Sequence, residues 1–297
     1  MDNADANSPP APELPVIDRA RTCPLCHHDR SLPQPAMNGY PMRACPRCCG
    51  RWAVCVAADL PDYDSDYQTG EREVYHRYRE ELQRIRAGGE PPIYWFQKRQ
   101  LERVRPFGQR RLLEIGCGNG MFLLAARRAG WQAQGLEVST HVAEQAREIS
   151  DCPVHVGGLG DLASKGATFD VVSGFEIFEH VLDARSALAA ATDVLAPGGV
   201  LALSVPNDRS PYTRTPPDAE GRPPYHINFF RPRTLEVVLR DLALEVSWLY
   251  EKPFAWSETR RPMAVRTLML PWLVFAGLVL GRKGSRLVAW AHKPPSS

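Results

Sequence analysis

Glu176, Glu179, His180 and His226 are the residues of this chain best suited to move a proton or to hold a hard cation. Three of them fall in one short run, F-E-I-F-E-H at 175–180. If Glu179 and His180 open a helix, they lie one turn from Glu176, because positions i, i+3 and i+4 share a helical face. His226 joins from P-Y-H-I-N at 224–228, in a long loop after a later strand. Two carboxylates and two imidazoles form a hard-to-intermediate ligand set suited to Mg²⁺ or Mn²⁺, with room left for substrate oxygens. Without an ion, His180 or His226 can act as a general base. Structural roles are the third reading of the same residues.

A second group is sulfur-rich. Cys23-x-x-Cys26 and Cys45-x-x-Cys48 are separated by 18 residues, a spacing usual for a four-cysteine zinc site. Each pair predicts a knuckle around one tetrahedral ion, and Asn38-Gly39 between them is a hairpin-turn signal. Four thiolates leave no open position, so such a zinc is structural. A redox pair, an iron–sulfur site and free thiols are the alternatives. Cys49 is close enough to replace Cys48, and His27 or His28 could compete with Cys26.

A third feature is backbone rather than side chain. L-L-E-I-G-C-G-N-G at 112–120 is an apolar run that ends in the acid Glu114 and breaks into alternating glycines before a helix-forming stretch. Gly116, Gly118 and Gly120 allow a sharp turn and close approach to a ligand. No Gly-Lys-Ser/Thr follows, and Met121 stands where a dinucleotide fingerprint needs its third glycine. About one βα unit downstream, the strand-like run 131–138 carries Glu137, an acid placed to accept hydrogen bonds from two ribose hydroxyls.

The elements that must position these groups alternate from Arg111 onward, the pattern of a parallel sheet covered on both faces. Strands are expected near Leu112, Gln132, Val154, Phe169, Val200, Leu244 and Leu287. Helices are expected over 121–129, 140–149, 180–191 and 234–241, with Pro232 suited to a helix start. Upstream, helices are expected over 72–86 and around Trp95–Val104, flanking the cofactor groove. The expected organisation is a disordered tail at 1–20, a zinc ribbon at 21–58, a linker and helix at 59–92, and an α/β domain at 93–297.

Composition narrows the partners. The 297 residues are 44% hydrophobic, and 36 basic and 34 acidic side chains leave a net charge of +2. Interspersed charge of that size argues against bulk electrostatic binding of nucleic acid. The Pro-rich, polar first twenty residues lack the apolar core of a secretory signal, so the cytoplasm is the expected compartment. The apolar stretch 267–281 is interrupted by Pro271 and is short for a membrane span. It reads as a buried helix or site cover, with weak membrane-surface contact through 267–286 as the alternative.

Taken together, E-I-G-C-G-N-G (114–120), Glu137, F-D-V-V (169–172), E-H-V-L-D (179–183), L-A-P-G-G (195–199) and H-I-N-F-F-R-P-R-T-L (226–235) occur in one family's order. The chain resembles the class I S-adenosylmethionine-dependent methyltransferases over residues 93–293. The last three motifs are frequent in a bacterial branch with an N-terminal four-cysteine ribbon, some of whose members are sugar C-methyltransferases. Glu-x-x-Glu-His is similar to that of ubiquinone-pathway O-methyltransferases; with a later His it also resembles the metal pattern of small-RNA 2′-O-methyltransferases. Departures are Glu114, where aspartate is more usual, and the apolar stretch before the last strand.

The resemblance implies a Rossmann-like seven-stranded methyltransferase sheet with helices on both faces. It implies S-adenosylmethionine bound by Glu114, Gly116, Cys117, Gly118, Gly120, Glu137 at the ribose, Val138, Asp161 at the adenine amino group, and Phe175. Methyl transfer to a hydroxyl or activated carbon of a small molecule would then use His180, Glu179 and His226, and Asn207 could contribute to the acceptor site. An RNA 2′-O-methyltransferase using a divalent metal and a non-catalytic cofactor-binding protein are the alternatives.

Overall fold

The computed structural model describes residues 17–65, 73–103, 110–159, 166–210, 221–252 and 284–295. In chain order the elements are β1 (Leu32–Met37), β2 (Tyr40–Ala44), β3 (Arg51–Ala53), α1 (Glu73–Arg86), α2 (Trp95–Arg103), β4 (Arg111–Ile115), α3 (Met121–Arg128), β5 (Gln132–Glu137), α4 (Thr140–Ser150), β6 (Val154–Val156), β7 (Phe169–Phe175), α5 (Ala184–Asp193), β8 (Leu195–Pro206), β9 (Asn228–Phe229), α6 (Pro232–Asp241), β10 (Glu245–Lys252) and β11 (Arg286–His292). The expected tail through residue 16, Asp161 and the apolar stretch 267–281 lie outside the described residues.

Seven strands form one sheet in the order β10-β11-β8-β7-β4-β5-β6. The five from β6 to β8 are parallel. Helices cover both faces of such a sheet, and all seven residues of β7 are buried. The expected seven-stranded sheet is present, and at its far edge β11 runs antiparallel to both β8 and β10. An antiparallel neighbour needs no crossover helix, which is why periodicity alone did not reveal its direction.

The N-terminal strands form a second sheet, β1-β2-β3-β9, whose last member comes from the distant segment 228–229. Asn38 and Gly39 make the expected β1–β2 turn, both with positive φ (51° and 82°), as a two-residue hairpin loop of the inverted type requires. Residues 17–20, expected in a disordered tail, are instead packed: Arg19 is buried and Trp52 Nε1 donates to its carbonyl at 2.8 Å.

One helix start differs from expectation. Residues 178–180 form a turn, and α5 begins at Ala184, where the Asp183 side chain accepts from Ser186 N at 3.0 Å. Upstream carbonyls are used by remote groups instead of by a helix. Glu179 O accepts from Ile227 N and Asn228 N at 2.9 and 3.0 Å, and Asn228 Nδ2 donates to Phe178 O and Val181 O. Pro232 does open α6, at its first turn. Among the described residues, no helix is long and apolar enough to cross a membrane.

Candidate active site

At the carboxyl ends of the parallel strands, where open α/β sheets bind ligands, the glycine turn is held by its neighbours. Gly116 N and Cys117 N both donate to Leu136 O, at 2.7 and 3.1 Å. Gly116, Gly118 and Gly120 all have positive φ. A Cβ on Gly116 would lie 2.1 Å from Ile177 Cδ1, and one on Gly120 would lie 2.9 Å from the Ala146 carbonyl oxygen. Close packing therefore adds to the need for glycine at both positions.

Glu137 closes β5 and binds the turn. Its Oε2 accepts from Gly118 N at 3.0 Å, while Oε1 accepts from Val138 N and Ser139 N at 2.9 and 3.1 Å. Burial pushes its carboxyl up, against the pull of those three amides. Val138 stands exposed beside it, and Cys117 is buried within the turn. Phe175 ends β7 with its ring 5.3 Å from that of Phe122 and 5.4 Å from that of Phe96 on α2. Gln100 of α2 also donates to Ser173 Oγ at 2.7 Å, so α2 flanks the strand ends.

Glu114 lies inside the sheet, beneath the turn. It is fully buried, and its Oε2 has no hydrogen-bond partner among the described residues. Burial, then the charge of Glu137, raises its carboxyl well above the ordinary range. The folded protein therefore keeps a proton that the unfolded chain releases near pH 4 to 5. That contribution to stability is complete below the unfolded value and is lost as pH rises through the raised one. Glu114→Gln should accordingly melt with a flatter pH dependence than wild type and gain relative stability toward pH 8. Parallel melting curves for the two proteins from pH 5 to 9 would show Glu114 to be ionised when folded.

The expected quartet of Glu176, Glu179, His180 and His226 divides. Glu176 has a left-handed backbone (φ 57°); its Oε1 accepts from Ser204 Oγ at 2.7 Å and lies 3.0 Å from Arg286 Nε. It is thereby drawn toward β8 and β11. Glu179, His180 and His226 do converge, with one ligand-competent atom each within 4.8 Å of the others. The imidazoles stand edge to face, 4.8 Å between centroids. Glu179 is fully buried and neither carboxyl oxygen has a hydrogen-bond partner among the described residues; burial, then the Glu176 charge, pushes its carboxyl well up.

The tautomer of neutral His180 follows from one contact. Its Nδ1 lies 2.8 Å from the Tyr225 carbonyl, which can only accept, so Nδ1 carries the hydrogen and Nε2 the lone pair. Nε2 lies 3.8 Å from Glu179 Oε1. Tyr63 Oη is a further neighbour of Nδ1 at 3.1 Å, and the adjoining Asp64 accepts from Ser139 Oγ beside Glu137. One acidic, tyrosine-bearing segment thus touches both halves of the site. In the sequence it reads only as a connector, although its D-Y-D-S-D-Y composition could have flagged it.

Asn207 is not free to meet an acceptor. Its buried amide donates to Gly284 O at 2.8 Å and Glu251 Oε2 at 3.1 Å, and accepts from Arg209 N, which ties β8 to the sheet edge.

Behind the loops around 176–183 and 225–228 stands the ribbon. The two knuckles are built alike: His27 N donates to Cys23 O at 2.8 Å and Cys49 N to Cys45 O at 3.0 Å. Cys23 Sγ lies 3.8 Å from Cys48 Sγ, and Cys26 Sγ 3.6 Å from Cys45 Sγ. Four sulfurs at ~2.3 Å from a tetrahedral zinc would be ~3.8 Å apart, so the set fits that ion. Cys49 is exposed and outside this cluster. His27 instead pairs with Asp183 at 2.8 Å. Asp208, fully buried, receives Arg51 and Arg231 across the ribbon boundary.

A family model described as a methyltransferase domain matches residues 71–247, more than half of the chain. The chain belongs to this methyltransferase domain family. It is 36% identical over 110 residues to a ubiquinone biosynthesis O-methyltransferase of Caulobacter sp. (strain K31), covering 34% of this chain and 43% of that enzyme. The match therefore spans less than half the length of that relative. The fold resembles the complex of the Haloferax volcanii Trm112 methyltransferase activator with its putative methyltransferase (TM-score 0.54, 18% identity, 78% of this chain and 98% of that one). It also resembles a SAM-dependent methyltransferase from Archaeoglobus fulgidus (TM-score 0.52, 17% identity, 71% and 98%). In this methyltransferase domain the glycine turn and the Glu179–His180–His226 cluster share one edge of the sheet.

Proposed function

We propose that the protein transfers a methyl group from S-adenosylmethionine to a hydroxyl of a small molecule, with His180 as general base. The observation that carries this reading is the placing of an imidazole of defined tautomer at the sheet edge that bears the glycine turn. Glu137 would hold the ribose hydroxyls, the backbone of the 116–120 turn would approach the cofactor closely, and Phe175 would pack beside it. The acceptor oxygen attacks the sulfonium methyl in line; the O–CH₃ bond forms as the S–CH₃ bond breaks. The hydroxyl proton passes to His180 Nε2, whose Nδ1–H remains on the Tyr225 carbonyl. Alignment of the two reactants supplies much of the barrier reduction, up to roughly 7–11 kcal/mol in intramolecular models.

Glu179 favours a second reading of the same cluster. A buried carboxyl with no hydrogen-bond partner is costly, and a divalent ion held by Glu179, His180 and His226 would satisfy it. Bound there, such an ion would polarise the acceptor hydroxyl. One carboxylate and two imidazoles suit Mn²⁺ better than Mg²⁺. Zinc belongs in the ribbon, held by Cys23, Cys26, Cys45 and Cys48, with a structural task.

Methyl transfer from labelled S-adenosylmethionine to nucleotide sugars, catechol-type phenols and short RNA tests the proposal. His180→Ala should lower kcat by about 10²- to 10⁴-fold, the usual worth of a general base, with cofactor affinity unchanged. Mn²⁺ titration of wild type and Glu179→Gln separates base from metal. Failure to bind S-adenosylmethionine, or full activity in His180→Ala, would overturn the assignment.

A further inference from the structure

We propose that Arg19 is a positioning residue for the reaction, a buried pin through which the four-cysteine ribbon holds both acceptor-side loops in register. Its side chain reaches three separate segments. Nε and Nη2 donate to Ala53 O at 3.1 and 2.9 Å, and Nη2 also donates to Ile227 O at 3.1 Å and Asn228 Oδ1 at 3.2 Å. Nη1 donates to Leu182 O. Ala53 ends β3 of the ribbon, Ile227 directly follows His226, and Leu182 lies two residues beyond His180. One guanidinium therefore ties the near neighbours of both imidazoles to a common support.

The chemistry of the contact argues for geometry over bulk stability. A guanidinium offers five N–H donors in a rigid planar fork, which a lysine cannot reproduce. Arg19 is 5% exposed; its guanidinium donates to carbonyl oxygens of three segments, with the Cys55 thiol and the Asp183 charge nearby. A buried charge is expensive, and apolar residues of similar volume often stabilise a core as well or better. The return on that cost here is the fixed spacing of three loops. Because Ile227 N and Asn228 N donate to Glu179 O, movement of 226–228 also displaces the segment carrying Glu179 and His180.

The inference rests on the reading of His180 and His226 as acceptor-side groups, and its test separates the two. In the full-length protein, Arg19→Met and Arg19→Lys are compared with wild type by amide hydrogen exchange, S-adenosylmethionine titration, and methyl transfer to a catechol-type phenol. Exchange at Ile227 and Asn228 should accelerate at least tenfold in both variants. Exchange at Gly116 and Cys117 and cofactor affinity should stay within about threefold, while kcat falls at least tenfold. Unaltered exchange at Ile227 and Asn228, or equal acceleration at Gly116 and Cys117, would overturn the pin. If wild type transfers no methyl group, the proposed function fails and the exchange data still decide the role of Arg19.

Discussion

With zinc in the ribbon as proposed, Cys48→Ser should release the ion and lower the melting temperature by about 8–16 °C. Apparent zinc binding energies in small four-ligand sites are about 10–16 kcal/mol. If only about 4 kcal/mol of this is felt in the whole fold, a domain of this size loses roughly 8–16 °C. The damage does not stay local, because Cys23, Leu25, Cys26, Cys45, Cys48 and Trp52 share one buried cluster with Leu113 of the large sheet, Phe178 of the loop after β7 and Leu188 of α5. Thr234 Oγ1 also donates to Cys48 O at 2.9 Å, and Arg185 N to Pro24 O at 2.9 Å. Metal content by elemental analysis and a melting curve, with Cys49→Ser as the exposed control, give the answer. A chelator added to folded wild type covers the case in which Cys48→Ser does not accumulate. A wild type that melts at the same temperature with and without chelator would rule zinc out as a support.

The second large effect is expected at Glu137. Two ribose hydroxyls on one carboxylate amount to two charge-assisted hydrogen bonds, each worth about 1.5–3 kcal/mol. Glu137→Ala should therefore weaken S-adenosylmethionine binding by at least about 100-fold. The variant also releases Gly118 N, Val138 N and Ser139 N, so the turn loses its own anchor. Glu137→Gln, which keeps one acceptor oxygen, should fall between alanine and wild type. Calorimetric titration measures all three; an alanine variant that binds within threefold of wild type would remove Glu137 from the cofactor site.

Features set by a few adjacent residues were legible in advance. Asn38-Gly39 makes the β1–β2 turn, Gly116 to Gly120 makes the strand-to-helix turn, and the two Cys-x-x-Cys pairs come together because each specifies its own backbone path. Features decided by remote partners were not legible. Helical periodicity suggested a start at His180, but the carbonyls of Phe178, Glu179, Val181 and Leu182 are claimed by Asn228, Ile227 and Arg19. Glu176 has the right spacing to join Glu179, yet its left-handed backbone, Ser204 and Arg286 direct it elsewhere. Arg19 carries no motif, and its importance comes from segments more than 150 residues downstream.

The fourth strand of the small sheet also sets an order of events during synthesis. Arg51 pairs with Phe229 and Trp52 with Asn228, so β3 has no partner on that side until the chain has been translated past residue 229. At about 5–20 residues per second, the delay from the emergence of β3 is roughly 10–35 s. Throughout it the nascent ribbon presents an open strand edge, the kind of surface that recruits foreign strands. Arg51 on that strand, later neutralised by Asp208, gives the waiting edge a charge that discourages such pairing. The same residue then serves first as a guard on the ribosome and afterwards as a fastener in the finished molecule.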